Sequence, residues 1–96
     1  MSSSADDDSR WHVDWTASAR RSLDRLPESV VAAVVELTYG PLAENPQRTG
    51  HPLHFDLEGQ WSARRGPYRV VYSIEARERV VTILAVGHRR DVYRPR

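Results

Sequence analysis

Trp11, Val13 and Trp15 alternate with His12, Asp14 and Thr16, the period-two pattern of a strand with one buried face. Thr16 is placed to cap a helix that starts at Ala17, carries Leu23 and Leu26 on its inner side and stops at Pro27. Pro27 also suits the first turn of a second helix, where its missing N–H needs no partner and its φ is already helical. The apolar stripe of that helix is Val30, Val31, Val34, Leu37 and then Leu42. A Val-rich run has strand propensity too, but length and period decide for a helix. Gly40-Pro41 predicts a kink or restart, and Asn45-Pro46 the end.

Residues 47–60 read as a connection in which Leu53, Phe55 and Leu57 alternate, a short strand-like segment laid on the core. Three clearer strands follow at Gln60–Arg65, Tyr68–Glu75 and residues 79–86, joined by turns at Gly66-Pro67 and at residues 76–78. The last, VVTILAV, is apolar on both faces and belongs in the middle of a sheet. The order predicts an α+β fold: an N-terminal strand, then two helices packed on one face of an antiparallel sheet that a C-terminal three-stranded meander completes. The 96-residue chain holds one core, so residues 10–96 are expected to form a single domain. Residues 1–9, MSSSADDDS, have no large apolar side chain to bury and predict a disordered acidic tail.

Composition narrows the function. With no cysteine, thiol nucleophiles, disulfide scaffolds and Cys-based zinc sites are excluded. The longest apolar run, residues 30–35, is too short to span a membrane, and the N-terminus carries acids where a secretory signal carries bases; a cytoplasmic protein is expected. The formal charge of +1 conceals an asymmetry: residues 61–96 hold nine Arg against three acids, so cations gather in the C-terminal third. All of the chain's basic side chains are Arg, a bias that a GC-rich genome alone can produce.

The hairpin WSARRGPYRVVY is where that charge can act. A two-residue turn sets Arg64 directly opposite Arg69; a four-residue turn sets Ser62 there and moves Arg64 into the loop. Like charges paired across strands cost up to about 1 kcal/mol, a cost that an anion such as phosphate between them removes. The alternative is that both snorkel to Glu75, Glu78 or a partner's acids. An antiparallel last strand returns its end to this hairpin, bringing the run GHRRDVYRPR, with His88, Arg89, Arg90, Tyr93 and Arg94, alongside Arg64, Arg65 and Arg69. Arg, His and Tyr side chains can stabilise a phosphorane-like transition state, take a proton from a ribose 2′-OH and protonate the leaving oxygen without metal or cofactor.

The elements G-x-YRVVY and VGHRR-x-VY, in that order, with SARRSLDRLPESV and PLAENPQRTGHPL upstream, resemble the RelE branch of the RelE/ParE toxin superfamily over residues 11–94. The resemblance implies a RelE-like fold, a toxin–antitoxin hetero-oligomer with a cognate antitoxin, and cleavage of mRNA in the ribosomal A site by 2′-OH attack. It further implies that Arg69 contacts phosphate, that Arg64 is a basic position on the adjoining strand, that Arg89 acts on the leaving group, and that Tyr93 stacks on a base or helps proton transfer. His88 falls where relatives place Lys or His, whereas Gln60 and Ser62 stand where the best-known members carry Lys.

The general base is expected at Tyr93 or His88, then at His54, whose loop can fold over the hairpin. RNA contacts are expected from Arg65, Arg90, Arg94, Ser62 and His54. His51 and His54 lack the acidic partners of a metal site and read as a solvent loop. Trp11, Trp15, Trp61 and Tyr72 read as core. Two other functions fit the same chain: a ParE-like toxin that poisons DNA gyrase, and a degenerate member that works with its antitoxin as a binding or co-repressor module.

Overall fold

The computed structural model describes residues 10–53 and 59–88. Strand β1, His12–Trp15, runs into helix α1, Ala17–Asp24, through Thr16, whose Oγ1 accepts from the Ala19 N–H at 3.0 Å. The Thr16 N–H still donates to the Ile83 carbonyl, so one residue ends the strand ladder and caps the helix. Pro27 precedes helix α2, Glu28–Leu37, with an extended ψ of 151°, one position earlier than its place in the predicted first turn.

The expected break at Gly40-Pro41 is a π-type turn over Thr38–Leu42, with Gly40 at φ −101°, ψ −105°. Pro41 supplies no N–H there, so the helical ladder widens by a residue. Asn45 does more than end this run: its side chain accepts from the Arg48 N–H at 3.1 Å and caps a short helix α3, Pro46–Thr49. Next comes β2, His51–Pro52, followed by β3, Gln60–Arg65; β4, Tyr68–Glu75; and β5, Val80–His88.

These strands form one five-stranded sheet in the order β1-β5-β4-β3-β2. β5 is internal, with β1 on one side and β4, the middle strand, on the other, so its two apolar faces go with a strand on each edge. The sheet is mixed, however, because β1 lies parallel to β5 while all other pairs are antiparallel. The helices carry the chain from β1 to β2 on the far edge, and three antiparallel steps from β2 to β5 then bring β5 beside β1 in parallel, a geometry that alternation in β1 alone does not reveal. β5 also begins at Val80 rather than Arg79: Arg79 takes φ 57° to close the β4–β5 turn and cannot continue a strand there.

Ala19 of α1 and Val34 and Leu37 of α2 share one core with Ala63, Val70, Tyr72, Val81, Ile83 and Val86, so both helices cover one face of the sheet. Trp11, Val13, Trp15 and Trp61 pack against that core from its edges. Each fully buried aliphatic side chain contributes about 1.5–3 kcal/mol. Trp61 and Tyr72 are cross-strand partners with stacked rings, centroids 6.5 Å apart.

Tyr72 also ties the helical layer to the sheet. Its hydroxyl donates to the Pro46 carbonyl at 2.7 Å within the core. A Cβ at Gly50 would overlap both that hydroxyl and the Ser62 carbonyl, so the chain passes closely here only as glycine. Burial pushes the Tyr72 phenol well above its ordinary value, against the opposing effect of a backbone hydrogen bond at Gly50. Tyr72→Phe leaves the Pro46 carbonyl unsatisfied and is expected to cost about 1–3 kcal/mol in urea unfolding at pH 7. Because the folded state holds the phenolic proton more tightly than the unfolded chain does, this stabilisation is complete below the ordinary phenol pKa of about 10 and falls as pH rises above it. The gap between wild type and Tyr72→Phe should therefore narrow on the alkaline side; a gap that stays constant to pH 12 would contradict the assignment.

Candidate functional site

The β3–β4 turn has two residues, Gly66 and Pro67, with Gly66 at φ 60°, the pattern of a primed hairpin turn with glycine first. Of the two registers open to the sequence, this one pairs Arg64 with Arg69, and Arg69 with Gly87 of β5. The result is a row across three strands: two guanidinium-bearing residues and a glycine that adds no side chain. Val70 and Val86, next in register, belong to the helix-covered core, so by alternation the Arg64–Arg69–Gly87 row stands on the opposite face.

One step further along the same face lies a second row, His51, Ser62, Val71 and Ala85. Ser62 and Val71 are buried, while His51 is exposed. Between Val71–Ala85 and Tyr72–Ile83 the ladder skips Leu84, a bulge that keeps both faces in phase on either side of it. The two arginines differ in exposure. Arg64 is exposed, whereas Arg69 is half-buried with its Nε below the surface.

A third row, Arg65, Tyr68 and His88, occupies the helix side of the same hairpin. The Tyr68 and His88 rings meet edge to face with centroids 5.9 Å apart. Arg65 Nη2 lies 3.6 Å from Glu36 Oε1 of α2. Arg65 and Tyr68 border a cleft of about 300 Å³ against Val30, Ala33 and Val34. Convergence of the basic groups is therefore only partial. Ser62, Arg64 and Arg69 share a face, while Arg65 and His88, expected beside them, stand behind it. Strand alternation is the reason: each is an odd number of residues from the Arg64–Arg69 row. His54, Arg89, Arg90, Tyr93 and Arg94 lie outside the described residues. The residue that sequence reasoning passed over is His51; a His-Pro pair in a connection gives no strand signal, and only its pairing with Ser62 puts it on the arginine face.

Residues 13–93 match the family described as the ParE toxin of type II toxin-antitoxin systems, parDE. Toxin RelE of Mycobacterium tuberculosis (strain ATCC 25618 / H37Rv) is 52% identical over 88 residues, 92% of this chain and 91% of that protein. Toxin RelG of the same organism is 49% identical over 82 residues, 85% of this chain and 94% of that protein. Among solved structures, the toxin-antitoxin complex RelBE2 from Mycobacterium tuberculosis aligns with a TM-score of 0.80 at 46% identity, covering 83% of this chain and 99% of that one. The chain belongs to the RelE/ParE superfamily of type II toxin-antitoxin toxins. Among the described residues no helix is long and apolar enough to cross a membrane.

If Arg64 and Arg69 repel across the hairpin, replacing one cation relieves the pair. Arg64→Gln is expected to stabilise the free protein by up to about 1 kcal/mol in urea unfolding at low salt, with the gain fading as salt screens the charges. Destabilisation at low salt would show that the pair is no strain on the fold.

Proposed function

We propose that this toxin is a ribosome-dependent endoribonuclease that cleaves mRNA in the A site through the ribose 2′-OH, without a catalytic metal, and that a cognate antitoxin holds it inactive. The observation that carries the reading is the Arg64–Arg69 register on the sheet face that the helices leave alone. Two guanidinium groups side by side match the two non-bridging oxygens of a phosphodiester, and they gain strength as the phosphorus passes through a more highly charged, five-coordinate transition state. The excess of cations in residues 61–96 draws a polyanion toward the same part of the molecule. About half of the residues are identical to two toxins named RelE and RelG, which supports RelE-type chemistry. The relative at 46% identity was solved as a complex with its antitoxin, which supports a protein inhibitor and a hetero-oligomer for this chain too.

In the mechanism, Arg69 holds the scissile phosphate and Arg64 closes over it. A base removes the 2′-OH proton, the 2′-oxygen bonds to phosphorus, and the 5′-oxygen leaves and takes up a proton. The products are a 2′,3′-cyclic phosphate and a 5′-hydroxyl end. Beyond the described residues, Arg89 at the leaving oxygen and Tyr93 on a base or a proton remain part of the proposal, as do RNA contacts by His54, Arg90 and Arg94.

The match to the ParE family supports a second reading, a toxin that poisons gyrase. Purified ribosomes programmed with a defined mRNA separate the two. Wild-type toxin should cut the mRNA in the A site and leave a 2′,3′-cyclic phosphate; uncut mRNA together with gyrase-dependent DNA breaks would establish the second reading instead. Arg69→Ala is expected to slow cleavage by about 10²–10³-fold and abolish growth inhibition while antitoxin affinity stays within a few-fold. Toxicity retained in that variant would remove Arg69 from the phosphate site.

A further inference from the structure

The cleavage reaction needs a group that takes the 2′-OH proton, and the described part of the fold supplies one on the correct face. β2 is only His51–Pro52, yet it pairs with β3 in a defined register, His51 opposite Ser62 and Pro52 opposite Trp61. Residues directly opposite in an antiparallel pair point to the same side, so His51 shares the face of Ser62, Arg64 and Arg69. Arg64 lies two residues beyond Ser62, which makes it the diagonal neighbour of His51 at about 7–8 Å between backbones. That spacing leaves room for one nucleotide between an imidazole and a guanidinium, with phosphate toward Arg64 and Arg69 and ribose toward His51. His88 is in phase with the helix side of the sheet, its ring edge to face with Tyr68.

The position of His51 is also fixed from behind. Gly50, which immediately precedes it, is pressed against the Tyr72 hydroxyl and the Ser62 carbonyl, and that hydroxyl is anchored on Pro46. The imidazole itself is exposed, open to substrate from the solvent side. Among the described residues β2 pairs only with β3, and the charged groups nearest it on this face are Arg64 and, one strand further, Arg69, with Glu75 at the far end of β4 and Asp14 on β1.

We propose that His51 is the general base of the cleavage reaction, an assignment that rests on the endoribonuclease reading above. Neutral imidazole accepts the 2′-OH proton as the 2′-oxygen forms its bond to phosphorus and the bond to the 5′-oxygen breaks. The imidazolium then returns its proton to solvent, and the cyclic phosphate leaves between the two arginines. Only the neutral imidazole has a lone pair free to take that proton.

Single-turnover cleavage on programmed ribosomes, followed from pH 5.5 to 8.5, tests this with the full-length toxin. His51→Ala is expected to cut at least a hundredfold more slowly with unchanged ribosome affinity, to lose the fall in rate on the acid side that wild type shows, and to regain activity when imidazole is added to the buffer. His51→Gln, which keeps size and polarity, should be as slow as His51→Ala, because it has no base. Three outcomes overturn the assignment while leaving the endoribonuclease intact: wild-type rate in His51→Ala, a loss that His51→Gln restores, or a loss that imidazole does not rescue and that keeps the wild-type pH profile. Failure of wild type itself to cut ribosome-bound mRNA overturns both readings together.

Discussion

β5 is apolar on both faces and takes hydrogen bonds from a strand on each edge, and this requirement organises the molecule. Its two partners come from opposite ends of the sequence, β1 ahead of the helices and β4 just before it. After β1 the chain crosses one face of the sheet as α1 and α2 to reach β2 on the far edge, and the meander from β2 to β5 then brings β5 back beside β1. The helices bury Val81, Ile83 and Val86 from one side. A consequence is polarity between faces: the residues in phase with those three lie on the helix side, and those out of phase lie on the opposite face, where Ser62 and Val71 are buried and Arg64 and His51 are exposed. Arg64, Arg69 and His51 are out of phase; Tyr68 and His88 are in phase.

Site geometry then depends on two small local features. Gly66 at φ 60° permits a two-residue turn, and that turn length places Arg64 across from Arg69. A one-residue slip would send every side chain of β3 to the other face, exchanging Arg64 for Arg65 and Ser62 for Ala63. The slip is opposed by the burial of Ala63 and by the Trp61–Tyr72 stack, so core packing holds the arginine register from the far side of the sheet. The Tyr72 hydroxyl on Pro46, with Gly50 beside it, performs the same service for β2. Without that anchor, a strand of two residues would have little to fix its pairing.

Sequence reasoning succeeded where local chemistry and tertiary structure agree. Thr16 caps α1, Gly40-Pro41 interrupts the second helix, Gly66-Pro67 turns the hairpin and VVTILAV lies inside the sheet, because each residue's own preference suits its position. It fell short where long-range contacts decide. The parallel partner of β1 depends on the path of the whole crossover. Arg79 at φ 57°, where glycine or asparagine is the usual choice, stays in place with its guanidinium 4.8 Å from the Trp11 ring centroid, a contact spanning most of the chain. At the site, counting residues from the turn narrowed the partner of Arg69 to Arg64 or Ser62, and the two-residue turn decides for Arg64. Seeing that Arg65 faces Glu36 and that His88 faces Tyr68 required the same count to be carried through three strands, bulge included. His51 was hidden because two residues leave no periodicity to read.

Whether Arg64 and Arg69 form one anion site is tested most directly by thermal unfolding of the free toxin. Inorganic phosphate is compared with chloride at equal ionic strength, for wild type and for a double variant carrying Arg64→Gln and Arg69→Gln. Phosphate held between the two guanidinium groups stabilises wild type by about 1.4 kcal/mol at ten times its Kd, raising the midpoint by several degrees, and leaves the double variant unmoved. An equal shift in both proteins, or no shift in wild type up to concentrations that bind any paired-arginine site, would contradict a shared site.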